Sequence, residues 1–181
     1  MSTLREYLAQ KREALLARRE RILAGKLGPQ PLKAKVTAEG RSGVRRIRVR
    51  DFQVITDSPP DFAGYDLGPS SPELQLGVLG SCLNHSYLIQ AAALQVPIES
   101  IEVEVQGFID PRAGTPGHED TPVHPQGIVY VVSIEGSATD AQLDELQRNV
   151  EKFCPILNLL KKPQTIEGRV ERRATTALAA E

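Results

Sequence analysis

A stretch of 25 residues, 70–94, constrains the fold of this chain more than any other. Ser70 or Ser71 can cap the first free amides of a helix. Pro72 fits the first helical position, and Glu73 places an anion where the helix dipole favours one. Apolar residues then fall all round the predicted helix, which predicts burial on most of its sides. Polar residues interrupt the stretch too often for a membrane span.

The chain has two cysteines, and one of them lies in the middle of this predicted helix. Gly77 and Gly80 come just before Cys82 and cost helix propensity, which predicts that a neighbour packs closely against the backbone there. Cys154 precedes a proline, far along the chain. Two such cysteines suggest a reactive thiol pair. The alternative is that Cys82 is only a small apolar core residue, because free cysteine is among the most buried residue types.

Length and composition exclude several classes of protein. A chain of 181 residues is long enough for one domain with an appended arm, and two cysteines are too few for a disulfide scaffold. The first residues begin a charged helix rather than a signal sequence, so we expect a cytoplasmic protein. With 22 basic and 23 acidic residues and few aromatics, the composition favours neither nucleic-acid nor membrane partners.

The N-terminal part of the chain is typical of a charged helix outside the main domain. Thr3 and Glu6 form a capping box, and a thin stripe of leucines follows. We expect a docked or partly frayed arm, with a basic interaction surface as the alternative. The predicted units are an arm at 1–25, a linker at 26–31, an α+β domain at 32–172 and a frayed tail at 173–181.

The remaining patterns alternate between strands and amphipathic helices. Predicted strands lie at 33–39, 44–50, 52–56, 98–109, 127–135 and 164–172, and predicted helices at 139–153 and 156–161. We expect the amides at the start of the last helix to lie beside the Cys154 sulfur. The strand at 127–135 is apolar enough to predict a central position in the sheet. The predicted fold class is α+β, with antiparallel sheet wrapped round a long buried central helix.

Two polar features have a structural and a functional interpretation. Arg46 and Arg48 share one face of the second strand, which is either a solvated edge or an anion site. The loop 110–126 holds His118 and His124 with two acidic residues between them. None of the usual ligand spacings occurs, so we expect an exposed loop and no metal.

Four motifs together resemble the OsmC/Ohr family, the osmotically inducible and organic-hydroperoxide-resistance proteins. They are a Gly-Arg-Ser-Gly turn at 40–43, Pro-Ser-Ser-Pro-Glu-Leu followed by Leu-Gly-Ser-Cys at the long helix, Ile-Glu-Ser-Ile-Glu-Val-Glu-Val in the strand at 98–105, and Cys-Pro at 154–155. The resemblance covers roughly residues 32–170 and leaves the N-terminal helix outside.

The resemblance implies an intertwined homodimer that reduces organic hydroperoxides with two cysteines and no cofactor, and that an external dithiol reduces again. By position, Cys82 would attack the peroxide and Cys154 would resolve the product as a disulfide. Arg41 would activate the thiol, and Glu73 would hold that arginine. Arg45 or Arg46 could take the role of Arg41.

Helix geometry adds its own expectations about this site. Nine residues separate Glu73 from Cys82, about half a turn out of phase, so the two cannot meet on one straight face. Gln75 and His85 do share the face of Cys82 and would line the site. His85 is either a base for the thiol or a buried core histidine, and we expect the core role.

Three functions therefore follow from the sequence. The first is a thiol peroxidase. The second is a binding protein on the same fold, with a small apolar or thiol ligand and cysteines that do not cycle. The third is an interaction protein that uses its basic N-terminal helix.

Overall fold

The computed structural model describes residues 3–172 and shows an α+β chain with two separate antiparallel sheets. In chain order its elements are α1 (Leu4–Leu23), β1 (Lys35–Ala38), β2 (Arg45–Val49), β3 (Phe52–Thr56), α2 (Ser71–Leu94), β4 (Ile98–Phe108), β5 (Gln126–Gly136), α3 (Asp140–Phe153) and α4 (Pro155–Lys161). The predicted α+β class and the antiparallel pairing are confirmed.

Helix α1 begins at the predicted capping box, in which Thr3 accepts from the amide of Glu6. Leu8 is buried against α2, and the guanidinium of Arg12 donates to the carbonyls of Ala92 and Ala93 at 3.4 and 2.7 Å. Those carbonyls lie at the end of α2, where a helix lacks amide donors of its own. The charged helix is therefore docked on the body of the chain by one apolar stripe and one arginine.

Strands β1, β2 and β3 form a meander in that order. Val36 pairs with Ile47, which pairs in turn with Val54 on the third strand. Among the described residues this sheet packs little against the helices. Its apolar side chains are accordingly open to solvent, with Phe52 65 % exposed and Val36 55 % exposed.

The loop between β3 and α2 is organised by one buried carboxylate. Asp57 is fully buried, and one of its oxygens accepts from the amides of Tyr65 and Leu67 at 2.9 and 3.2 Å. The loop wraps tightly, since a Cβ on Gly64 would meet the carbonyl oxygen of Ser58 at 1.7 Å. This loop leads directly into the start of α2.

Helix α2 begins as predicted, at a capping box between Ser70 and Glu73. Burial, however, is confined to one stripe of the helix: Leu79, Leu83, Ser86, Tyr87, Ala91 and Ala92. Val78 on the opposite side is 44 % exposed. The expectation of burial on most sides is therefore not met within one chain, because β4, β5, α1, α3 and α4 leave one side of the helix uncovered.

Strands β4 and β5 form a two-stranded sheet whose inner face packs on α2. Val103 pairs with Val132, and both lie against the buried stripe of α2. Helix α3 closes the core from another side with Leu146 and Val150, both fully buried. Val131 on the outer face of β5 is 59 % exposed. Strand β5 has a neighbour on one side only, so the prediction of a central strand is not met in this chain.

One predicted strand is wrong. Residues 164–172 have no regular secondary structure, although their alternation predicts a strand. Ile166 is 91 % exposed and Val170 is fully exposed, so the segment has no sheet edge beside it to supply hydrogen bonds. The predicted frayed tail at 173–181 lies outside the described residues. Within the described part of the chain, no helix is long and apolar enough to cross a membrane.

The Asp57 loop leads to a stability prediction. Burial raises the pKa of this carboxyl, but the amides of Ser58, Tyr65 and Leu67 outweigh it and hold the pKa below its usual value. Asp57→Asn should therefore lower the Tm at pH 7 by roughly 5 °C or more. A depressed pKa contributes stability above the unfolded pKa and loses it as the pH falls through the folded value, so the difference should shrink below about pH 4.

Thermal melts of both proteins from pH 3 to pH 8 provide the measurement. Asp61→Asn, an exposed aspartate in the same loop, is the matched control and should leave the Tm unchanged. Equal Tm values for Asp57→Asn and the unaltered protein at pH 7 would show that the carboxylate does not hold the loop.

Candidate functional site

The two cysteines meet in the structure, although 72 positions separate them in the chain. The sulfur of Cys154 lies 3.5 Å from the sulfur of Cys82. A disulfide bond needs about 2.0 Å between the sulfurs, so a small side-chain movement is enough to join them. Cys154 is fully buried, whereas Cys82 is partly exposed. Cys82 is thus the sulfur that a small molecule can reach first.

Cys82 is placed by the packing of α2. It lies next to the buried Leu83 and packs at the margin of the core. Two positions before Cys82, a Cβ on Gly80 would approach a methyl of Val105 to 3.2 Å, so the predicted close approach occurs there. It does not occur at Gly77, where an added Cβ would meet nothing within 4 Å. Gly80 lets β4 approach the helix, and Gly77 borders an open groove.

Cys154 is placed by the proline that follows it. Pro155 disfavours helical backbone at the preceding residue, and Cys154 has φ −68° and ψ 115°, outside the helical region. Helix α3 therefore ends and α4 begins at this residue. Cys154 follows the buried Val150 by four positions, so its side chain lies on the core-facing side of α3, where it meets α2.

The surroundings of Cys82 act on its thiol in opposite directions. Burial raises its pKa, and the amide of Ile156 opposes that effect. Cys154 raises the pKa further, while the hydroxyl of Ser86 lowers it. The balance within this chain favours the neutral thiol over the reactive thiolate.

Ile156 and Ser86 both lower the pKa of Cys82, although the sequence alone assigned neither residue a role at this site. The amides of α4 were expected beside Cys154, but the amide of Ile156 acts on Cys82 instead. Ser86 follows Cys82 by four positions, so helical spacing was the available signal for it.

An open groove of about 470 Å³ leads to Cys82 along α2. Its lining is mostly apolar and consists of Leu74, Gly77, Val78, Ser81, Cys82 and His85. An apolar groove of this size can hold the carbon skeleton of a small organic molecule beside the thiol.

The structure does not bring Arg41 and Glu73 to the thiol within one chain. Arg41 is exposed in the turn between β1 and β2. Glu73 accepts from the amide and the hydroxyl of Ser70 at 2.7 and 2.6 Å, and these bonds hold its pKa below the usual value. Among the described residues, no ion pair includes either Arg41 or Glu73.

Two other arginines of the β1–β3 sheet, Arg45 and Arg46, are engaged locally. Arg46 pairs with Glu39 at 2.8 Å, and Arg45 donates to the carbonyl of Asp57 at 2.7 Å. Neither of these two contacts involves the cysteine pair.

His85 lines the groove but is not the buried core histidine that we expected. It is exposed on the same side of α2 as Cys82, because that side carries no covering element in this chain. Partial desolvation and the charge of Lys11 lower its pKa, so His85 is a weaker cation at neutral pH than a free histidine. Gln75 is half-buried and does not line the groove.

The described residues hold no cluster of three or more histidine, cysteine or acidic side chains with a geometry that suits a metal ion. His118 and His124 lie in the exposed part of the chain between β4 and β5.

The fold and the paired sulfurs define a class of small α+β proteins with a cysteine on a long helix. Residues 64–168, more than half of the chain, match the family model described as OsmC-like protein. The chain belongs to the OsmC-like family. No curated protein matches it significantly.

Solved structures agree with this assignment at the level of the fold. An OsmC-like protein from Mycoplasma pneumoniae is 18 % identical, with a TM-score of 0.62, over 74 % of this chain and 89 % of that one. An organic hydroperoxide resistance protein from Elizabethkingia anophelis is 13 % identical, with a TM-score of 0.56, over 72 % and 88 %. An organic hydroperoxide resistance protein OsmC from Legionella pneumophila is 15 % identical, with a TM-score of 0.51, over 75 % and 92 %.

The pKa of Cys82 is a direct test of the site. Because burial disfavours the thiolate, alkylation of Cys82 by iodoacetamide in the Arg41→Ala variant, which lacks the expected activating arginine, should accelerate with pH through an apparent pKa above that of a free cysteine. Mass spectrometry of reduced protein, quenched at intervals from pH 6 to pH 10, measures this rate for each cysteine separately.

Cys154→Ser provides the matched control, since Cys154 itself raises the pKa of Cys82. Its apparent pKa should be lower than that of the unaltered protein. An apparent pKa below that of free cysteine in the Arg41→Ala variant would contradict the prediction.

Proposed function

We propose that this protein is a thiol-dependent peroxidase that reduces organic hydroperoxides. The thiolate of Cys82 attacks the terminal oxygen of the peroxide, the O–O bond breaks, and the alcohol leaves with a proton. Cys82 is then a sulfenic acid. The thiol of Cys154 attacks that sulfur, water leaves, and a Cys82–Cys154 disulfide forms. An external dithiol reduces the disulfide and restores both thiols.

The distance of 3.5 Å between the two sulfurs is the observation that carries this proposal. A buried thiol that touches a partly exposed one can capture a sulfenic acid before a second peroxide oxidises it further. A pair that cycles in this way needs a compartment with a dithiol reductant, which favours the cytoplasm.

The groove supports an organic rather than an inorganic substrate. Leu74 and Val78 line it beside the thiol, and its volume of about 470 Å³ exceeds what hydrogen peroxide needs. Burial of an alkyl or aryl group there gains about 25 cal/mol per Å² of apolar surface, a gain that hydrogen peroxide cannot make. The hydroperoxide resistance proteins among the structural neighbours share the fold and make this substrate class reasonable.

The proposal needs a cation beside Cys82, and a homodimer could supply it. Arg41 lies on a sheet that packs little against its own helices, so it is free to reach the thiol of a second chain. The exposed apolar residues Val78 and Val131 mark surfaces that a second copy would cover. We therefore propose Arg41 as the activating residue and Glu73 as the carboxylate that holds it.

A binding function without thiol cycling is the second candidate, and one observation favours it. The pKa of Cys82 is raised rather than lowered, and no described arginine of the same chain contributes to it. In that case the groove would hold a small apolar or thiol ligand, and the cysteines would remain reduced.

A stopped-flow titration of the reduced protein with cumene hydroperoxide and with hydrogen peroxide separates the two candidates. We expect cumene hydroperoxide to react at least about tenfold faster than hydrogen peroxide, because only the organic peroxide gains binding energy in the groove. Mass spectrometry should then show one Cys82–Cys154 disulfide per chain.

Cys82→Ser should abolish the reaction, and Cys154→Ser should stop it at the sulfenic acid, which dimedone traps. If neither peroxide reacts faster than it does with free cysteine, the peroxidase assignment fails and the binding function takes its place.

Arg41→Ala tests the proposed activation. Loss of the guanidinium should slow the reaction with cumene hydroperoxide by about tenfold or more, because a hydrogen-bonded cation stabilises both the thiolate and the leaving oxygen. Arg48→Ala, an exposed arginine of the same sheet, is the matched control and should retain the rate.

Mixing Arg41→Ala with Cys82→Ser shows which chain supplies the arginine. If it acts across a dimer, mixed dimers regain one complete site and activity returns. An unchanged rate in Arg41→Ala alone would remove Arg41 from the mechanism.

A further inference from the structure

The side chain of Asn158 makes an unusual set of contacts at the turn that carries Cys154. Its amide nitrogen donates to the carbonyls of Cys154, Glu151 and Lys152, at 2.9, 3.0 and 3.3 Å. The side-chain amide has two hydrogens, so the three carbonyls share them. One side chain thus ties the end of α3 to the start of α4.

These carbonyls need a donor because of the proline. In a continuous helix the amide of residue 155 would donate to the carbonyl of Glu151, but Pro155 has no amide hydrogen. The amide of Ile156 would serve Lys152 in the same way, but it acts on the thiol of Cys82 instead. Asn158 supplies the missing donor to both carbonyls and leaves the amide of Ile156 free for the sulfur.

Asn158 also holds Cys154 directly. The carbonyl of Cys154 accepts from the backbone amide of Asn158 at 3.1 Å as well as from its side chain. Cys154 has non-helical backbone angles, although its own amide still donates to the carbonyl of Val150 at 2.8 Å. The contact of 3.5 Å between the sulfurs depends on this turn keeping its shape.

We propose that Asn158 is a positioning residue for disulfide closure. It holds the turn at Cys154 so that the buried thiol faces the sulfur of Cys82 before any oxidant arrives. The inference rests on the proposed peroxidase cycle for its kinetic consequence, but the geometry concerns the formation of the disulfide by any route.

The step concerned is the second one of the cycle. The Cys154 thiol loses its proton and attacks the sulfur of the Cys82 sulfenic acid. An S–S bond forms, the S–O bond breaks, and the oxygen leaves as water with that proton and its own. Asn158 exchanges no atom in this step and acts through the position of Cys154.

Asn158→Ala and Asn158→Asp remove the donors, and the aspartate keeps the size of the side chain. We expect both variants to form the Cys82 sulfenic acid within about threefold of the normal rate, but to close the disulfide at least about tenfold more slowly. Stopped-flow mixing with cumene hydroperoxide, with timed dimedone trapping and mass spectrometry, measures the two steps separately.

Equilibration with glutathione provides a readout that needs no peroxide. The protein disulfide and two glutathione molecules exchange with the protein dithiol and glutathione disulfide, so the equilibrium constant reports how well the thiols are pre-arranged. Both variants should favour the dithiol by at least about tenfold relative to the unaltered protein. Thermal melts identify folded variants, and if the alanine variant does not fold, the aspartate variant decides.

Asn149→Ala is the matched control, because Asn149 lies on the preceding helix α3 and its side chain donates to a single carbonyl, that of Glu145, at 2.9 Å. It should leave both readouts unchanged. Normal closure and a normal glutathione equilibrium in folded Asn158 variants would overturn the inference. If the unaltered protein does not react with the hydroperoxide, the proposed function fails, and the glutathione equilibrium alone then decides the role of Asn158.

Discussion

The packing of one stripe of α2 against its neighbours is the interaction on which the rest of the structure depends. Leu79 and Leu83 are fully buried between the β4–β5 sheet and helix α3. Burial of such side chains contributes roughly 1.5–3 kcal/mol each. Because Cys82 adjoins this stripe, the same packing that holds the domain together also sets the position of the thiol.

The thiol site depends on a break in helical structure. A proline ends α3 directly after Cys154, which lies on the buried face of that helix, and the carbonyls left without donors accept from the side chain of Asn158. The proline, the position of Cys154 and the Asn158 hydrogen bonds each have a simple physical origin, and together they set the geometry of the thiol pair. The result is two free thiols in contact.

The electrostatics of a single chain do not complete the site. Burial raises the pKa of Cys82, and the amide and hydroxyl beside it oppose that effect without reversing it. The exposed side of α2, the outer face of β5 and the sheet of β1–β3 all remain uncovered in the same chain. Within residues 3–172 no cation and no covering surface adjoin the thiol, and the proposed homodimer would supply both.

The sequence by itself determined most of the local structure. Capping boxes at Thr3 and Ser70 and the proline after Cys154 act between near neighbours, so helix boundaries could be read from them. Only the tertiary structure decided that the two sulfurs touch, that His85 is exposed and that residues 164–172 form no strand. Those outcomes depend on contacts between residues that are far apart in the chain. The spacing of apolar residues shows which face of a helix or strand is apolar, but it does not show which other element covers that face.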